Sequence, residues 1–179
     1  MTKSAYHHGN LRPVLIDAAL TLIAERGPAS VSLRDLARVA GVSHAAPAHH
    51  FGDKAGLFTA IATQGNALLA EALGGEPDMR ELGVRYLRFA AEHPSHFEVM
   101  FRPDLYHRDD PELTAARARA GDLLRAGVPG GGDRVMLAAW SLAHGFATLR
   151  RTGNLDRLLD GRDPEEEFRE LAGLLRIKP

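Results

Sequence analysis

Three histidines crowd one short segment of this chain, Ser43-His44-Ala45-Ala46-Pro47-Ala48-His49-His50, in a protein that has nine histidines and no cysteine. Imidazoles donate and accept hydrogen bonds and gain charge near neutrality, so such a cluster binds anions more tightly as the pH falls. Alanine methyls at His44's neighbours Ala45 and Ala46 suit contact with thymine methyls, and histidine suits guanine or phosphate. Ser32, Ser43 and Lys54 stand where helices are expected to start. There backbone N–H groups and the helix dipole favour a phosphate. Arg34 lies just inside the first of those helices. These residues divide into two tasks, neutralising phosphates and reading bases.

Other chemistries fit less well. His7-His8 and His49-His50 look like metal ligands, but neighbours on a helix point about 100° apart and suit one ion poorly. Ser141 and His144 share a helix face without an acid to orient the histidine, so a nucleophilic triad is not expected. The chain has no Gly-x-Ser-x-Gly elbow and no His-Glu-x-x-His, and Gly130-Gly131-Gly132 is followed by Asp133 rather than Lys-Ser/Thr. We expect no enzyme, no cofactor and no metal.

The positioning elements can be read from the same stretch. Ser32 caps a helix with Asp35 in its first turn, and Leu33, Leu36, Ala37 and Ala40 keep helical spacing. Ala40-Gly41-Val42-Ser43 forms the turn, with Gly41 left-handed and Val42 the apolar plug. Ser43 or His44 is expected to cap a second helix. This is a helix-turn-helix, whose second helix can enter the major groove. Before it, Asn10 caps a helix with an apolar stripe of Leu11, Val14, Leu15, Ala18, Ala19, Leu22 and Ile23, ended by Gly27. After it, Phe51-Gly52 closes the reading helix and Asp53 caps the next.

From Asn10 to about Phe58 the chain resembles the tetracycline-repressor (TetR) family: a helix, a helix-turn-helix, an aromatic-x-x-Lys junction, then a long connecting helix. The resemblance implies a dimer that represses transcription from a palindromic DNA operator and is released by a small hydrophobic effector. It also implies domains at 1–55 for DNA and 56–179 for effector binding and dimerisation. Trp140, His144 and Gly145 resemble the Trp-His-Gly signature of one subgroup, as do Tyr6-His7-His8-Gly9-Asn10-Leu11-Arg12 and the stretch from His93-Pro94 to Met100-Phe101. The chain departs from the family at Ala48, where a phosphate-contacting tyrosine is usual, and at His49, often a basic residue. Those departures keep an alternative open, a TetR-like adaptor for ligands or proteins with weakened DNA binding.

The rest of the chain is read as all-α, about nine helices in total. One runs from Asp53 to Gly74-Gly75, another starts at Pro77-Asp78 and closes before Pro94, and a short one spans Ser95–Phe101. A polar loop, Asp104–Asp110, precedes a helix from Pro111 to about Ala126. The last two run from about Asp133 to Arg151 and from Pro164 to Arg176. Small residues of the first of these, and Phe168, Leu171, Leu174 and Leu175 of the second, suit a bundle with a second copy. Tyr86, Phe89, Phe97, Met100, Phe101, Leu123, Leu124, Trp140 and His144 are the larger side chains from which, by the resemblance, a pocket would be built.

Composition agrees with this division. Residues 1–54 carry six basic and four acidic side chains, a net +2, while the remainder carries sixteen and nineteen, a net −3. The small basic excess sits with the motif. With 45% hydrophobic and 25% charged residues the chain can bury a real core. No apolar run approaches the roughly 20 residues a membrane span needs. The N-terminus also lacks a signal-peptide core, and a cytoplasmic location is expected.

Overall fold

The computed structural model describes residues 11–75, 78–127 and 132–174, and among these every regular element is helical. The order is α1 (Leu11–Arg26), a 3₁₀ turn (Pro28–Ser30), α2 (Leu33–Val39), α3 (Ala46–Phe51) and α4 (Lys54–Leu73). There follow α5 (Met79–Glu92), α6 (Pro94–Met100), α7 (Pro111–Ala126), α8 (Gly132–Arg151), α9 (Asp156–Leu159) and α10 (Pro164–Gly173). Side-chain caps set many of the starts. The carboxylates of Asp53, Asp78, Asp110 and Asp163 accept backbone N–H groups of the first turns of α4, α5, α7 and α10. Proline follows Asp110 and Asp163 at the first helical position, where a missing N–H costs nothing.

Two apolar clusters meet along α4. One joins Leu15, Ala19, Leu22 and Ile23 of α1 and Leu36 of α2 to Leu57, Phe58 and Ile61, and reaches Val99, Tyr106 and Leu113 beyond them. The other gathers Leu69 and Leu73 with Tyr86 and Phe89 of α5, Phe97 and Met100, Phe146 of α8 and Phe168 of α10. α4 therefore belongs to both cores, and its burial along its whole length makes it a rigid link between them. α6 is tied to α1 as well, the Ser95 hydroxyl donating to the Leu20 carbonyl at 3.0 Å.

Several expectations need correction. The buried stripe of α1 is Leu15, Ile16, Ala19, Leu22 and Ile23, whereas Val14 is 49% exposed. α3 does not start at Ser43 or His44. A helix capped at Ser43 would need the residue-47 N–H to reach the Ser43 carbonyl, and Pro47 has none. The Ala46 N–H makes that contact instead, at 3.0 Å, and α3 begins there, with Ala45 at its cap and no side-chain cap bond. α9 was not expected. Its four residues are too few to show periodicity, and it closes at Asp160 in the left-handed region (φ 47°). Asn10, Tyr6 to Gly9, Pro77, Gly130-Gly131, Leu175 and Arg176 lie outside the described residues.

Candidate nucleic-acid interface and ligand cleft

The helix-turn-helix is fixed by hydrogen bonds that the sequence dictates. Ser32 Oγ accepts the Asp35 N–H at 3.1 Å and donates to the Asp35 carboxylate at 2.7 Å. That bond, reinforced by Arg38 at 3.7 Å, holds the Asp35 carboxyl below its ordinary range. At the end of α2, the Val42 N–H reaches the Ala37 carbonyl and the Gly41 N–H that of Arg38, a Schellman closure. It requires the left-handed φ of 66° that Gly41 adopts. Val42 is half-buried against the first core, as the plug between α2 and α3.

This geometry leaves one face open. Ser43, His44, Ala45, Ala48, His49 and His50 are exposed, Ala46 is half-buried, and Pro47 alone of α3 is buried. Arg34 and Arg38 are exposed on α2, one turn apart. Arg38 was not foreseen, although its spacing from Arg34 gave the signal. Arg12 lies with its guanidinium 5.6 Å from the Phe51 ring centroid, which holds the end of α3 against α1.

Ser32 and Lys54 have structural work as well. The Ser32 hydroxyl is committed to Asp35. Lys54 Nζ donates to the Ala29 carbonyl at 2.9 Å and lies 5.5 Å from the Phe58 ring centroid, which pins the turn before α2 to the start of α4. Gly56 allows the junction between α3 and α4 to be this tight. A Cβ there would stand 1.9 Å from the Phe51 carbonyl oxygen.

A cleft of about 490 Å³ lies among α4, α5, α7, α8 and the loop after α6. Tyr86, Met100, Phe101, Leu124 and Trp140 line it, five of the expected pocket residues. Phe89 and Phe97 do not. Phe89 is buried with its ring 5.3 Å from that of His93, and Phe97 stacks on His144 at 5.3 Å. Both are core because each helix turns its most apolar face inward. His144 sits behind the wall, its Nδ1 2.9 Å from the Tyr86 hydroxyl. Burial raises the Tyr86 phenol and lowers the His144 imidazole, so the pair is neutral and shares one hydrogen bond.

Asn66, Tyr106, Arg117 and Met136 also line the cleft, and the sequence reading missed them. Arg117 falls on the same face of α7 as Leu113, Ala120 and Leu124, at helical spacing. A basic residue on an apolar stripe was the available signal. Tyr106 is buried within the expected polar loop. Its hydroxyl accepts from Arg117 and donates to the Met100 carbonyl at 2.9 Å.

Two family models match the chain: bacterial regulatory proteins of the tetR family over residues 15–61, and the tetracyclin repressor-like C-terminal domain over 79–175. The HTH-type transcriptional repressor AcnR of Corynebacterium efficiens is 32% identical over 110 residues, which cover 59% of this chain and 55% of AcnR. The HTH-type transcriptional regulator BetI of Rhizobium meliloti is 45% identical over 49 residues, 27% of this chain and 24% of BetI. The chain thus spans about half, or less, of the length of the curated relatives it matches. A solved protein of unknown function from Rhodococcus sp. RHA1 superposes with a TM-score of 0.78 at 32% identity, covering 96% of both chains. With a matching model over more than half its length, this chain belongs to the tetracycline-repressor (TetR) family.

Proposed function

We propose that this protein is a dimeric transcription repressor that holds a palindromic operator and releases it when a small, largely apolar effector fills the cleft. The observation that carries the reading is the continuity of α4. It starts at the reading head, where Asp53 and Lys54 fix its first turn, and its far half packs in the core beside the cleft. In this reading Ser32, Arg34, Ser43 and Lys54 meet phosphates, and His44, Ala45, Ala46, His49 and His50 face the bases. Residues 1–55 form the DNA-binding domain and 56–179 the sensing and dimerising one. Tyr86, Phe89, Phe97, Met100, Phe101, Leu124, Trp140 and His144 wall or back the effector site.

Dimerisation is supported by the apolar surface of the last helices. Leu137 is 60%, Leu149 45% and Leu174 75% exposed, and open space surrounds Gly145. A second copy would bury these side chains, and twofold symmetry would present two reading heads to two half-sites. Trp140, His144 and Gly145 support assignment to the Trp-His-Gly subgroup. Among the described residues no helix is long and apolar enough to cross a membrane, and a cytoplasmic location suits a DNA-binding role.

Binding-site selection from random duplex DNA tests the reading, with a preferred palindrome as the supporting result. The exposed methyl of Ala48 favours a second reading, an adaptor with a weakened head. Sequence-blind binding alone would support that one.

A further inference from the structure

Within the effector reading just given, on which this inference rests, we infer that the cleft takes an anion, a small carboxylate with an apolar body, and that Arg117 binds the carboxylate. Arg117 is the only charged side chain among the described residues that line the cleft, whose other walls include Leu69, Met100, Phe101, Leu124 and Trp140. It is half-buried, and among the described residues no carboxylate lies within 4.0 Å of it.

The guanidinium is held in place from one side. Its carbon stands 4.9 Å from the Tyr106 ring centroid, and one N–H is spent on the Tyr106 hydroxyl, itself anchored on the Met100 carbonyl. A planar group fixed by stacking loses little freedom when it binds a ligand, and the neutral phenol leaves its charge uncompensated. A cation beside an apolar wall favours a ligand that brings the opposite charge, and carboxylate matches the guanidinium fork with two parallel bonds. A neutral apolar ligand would leave the charge unpaired in a drier cleft, which is unfavourable. Charge and apolar wall together thus select an amphipathic acid over both a neutral lipid and a small polyanion.

Trp140 is the chain's one tryptophan and lines the cleft, so its emission reports occupancy directly. The full-length protein is titrated at neutral pH with octanoate and phenylpropionate, each beside its primary amide. The acids should change Trp140 emission saturably and bind at least about ten-fold more tightly than the amides. Arg117→Gln should remove that gap, and Arg117→Lys should keep part of it. Tyr106→Phe, which loses the anchoring hydroxyl but leaves the charge, should still prefer acids, and circular dichroism checks that each variant folds. Equal affinity for acid and amide, a preference that survives Arg117→Gln, or no response to any acid overturns the inference. The effector reading is scored separately by operator release. An amide that binds and releases DNA keeps that reading while ending this one, and an acid that fills the cleft without releasing DNA does the reverse.

Discussion

The imidazole Nε2 of His107 lies 3.3 Å from Oδ1 of Asp53, the carboxylate that caps α4 at the reading head. His107 follows Tyr106, which lines the cleft, and its own N–H donates to the Thr59 hydroxyl one turn into α4 at 3.0 Å. One loop thus touches the cleft and the start of the helix that carries the head. In the proposed reading, a cleft ligand that moves Tyr106 would also move His107, the neighbour of Asp53.

Both side chains of this contact are more than half exposed, so it adds little to stability. His107→Ala should change unfolding free energy by less than about 0.5 kcal/mol. It should shrink the ratio of operator affinities measured with and without a cleft ligand. Asp53→Ala should cost about 1 kcal/mol in urea unfolding, because the Gly56 N–H loses its cap at 2.7 Å. Asp53→Asn, which keeps an acceptor, should recover most of that.

Gly56→Ala should be among the most damaging single-methyl changes in the head. The new Cβ would meet the Phe51 carbonyl oxygen at 1.9 Å, a backbone atom that can move only if α3 moves. We expect about 2 kcal/mol of destabilisation or more, seen as a lowered melting temperature, with weakened DNA binding.

Stability should fall in acid through His96. It is 6% exposed, its Nε2 lies 3.1 Å from Gln64 Oε1, and burial first, then the charge of His93, lowers its pKa from 6.5 to about 4; Asp17 opposes the shift. The unfolded chain therefore takes up the proton before the folded one. This contribution is complete above pH 6.5 and is lost as the pH falls toward 4, by about 3 kcal/mol in all. Chemical unfolding across that window should show the slope, and His96→Gln, which keeps the donor without the titration, should flatten it.

Arg34→Ala tests the phosphate role of an exposed cation on α2. Binding should weaken for every sequence alike, and the slope of log affinity against log salt should fall by about 1. Lys54→Met differs, since Lys54 also holds the Ala29 carbonyl. It should lower both stability and DNA affinity.

Local signals explain what the sequence revealed. Ser32, Gly41 and Asp53 each determine a cap or turn within a few residues, and α2, the turn and the start of α4 follow from them. The start of α3 was misread because the missing N–H of Pro47 acts one turn earlier than the proline itself. The site was legible where a large apolar side chain meets the cleft, as at Trp140 and Met100. Phe89 and Phe97 look the same in sequence but face the core, a choice made by the packing of α5 and α6 against their neighbours. Arg117, Tyr106 and His107 were passed over because their roles depend on partners far away in the chain or in another element: the cleft, the Met100 carbonyl and Asp53.

In the proposed reading, the face formed by His44, Ala45, Ala46, His49 and His50 reads DNA as one half of a twofold pair. Selection of sites from random duplex DNA with the purified protein, followed by affinity measured against salt, tests it most directly. An enriched palindrome, bound at least about a thousand-fold more tightly than random DNA, is expected. Binding that is weak and indifferent to sequence at every salt concentration would contradict it.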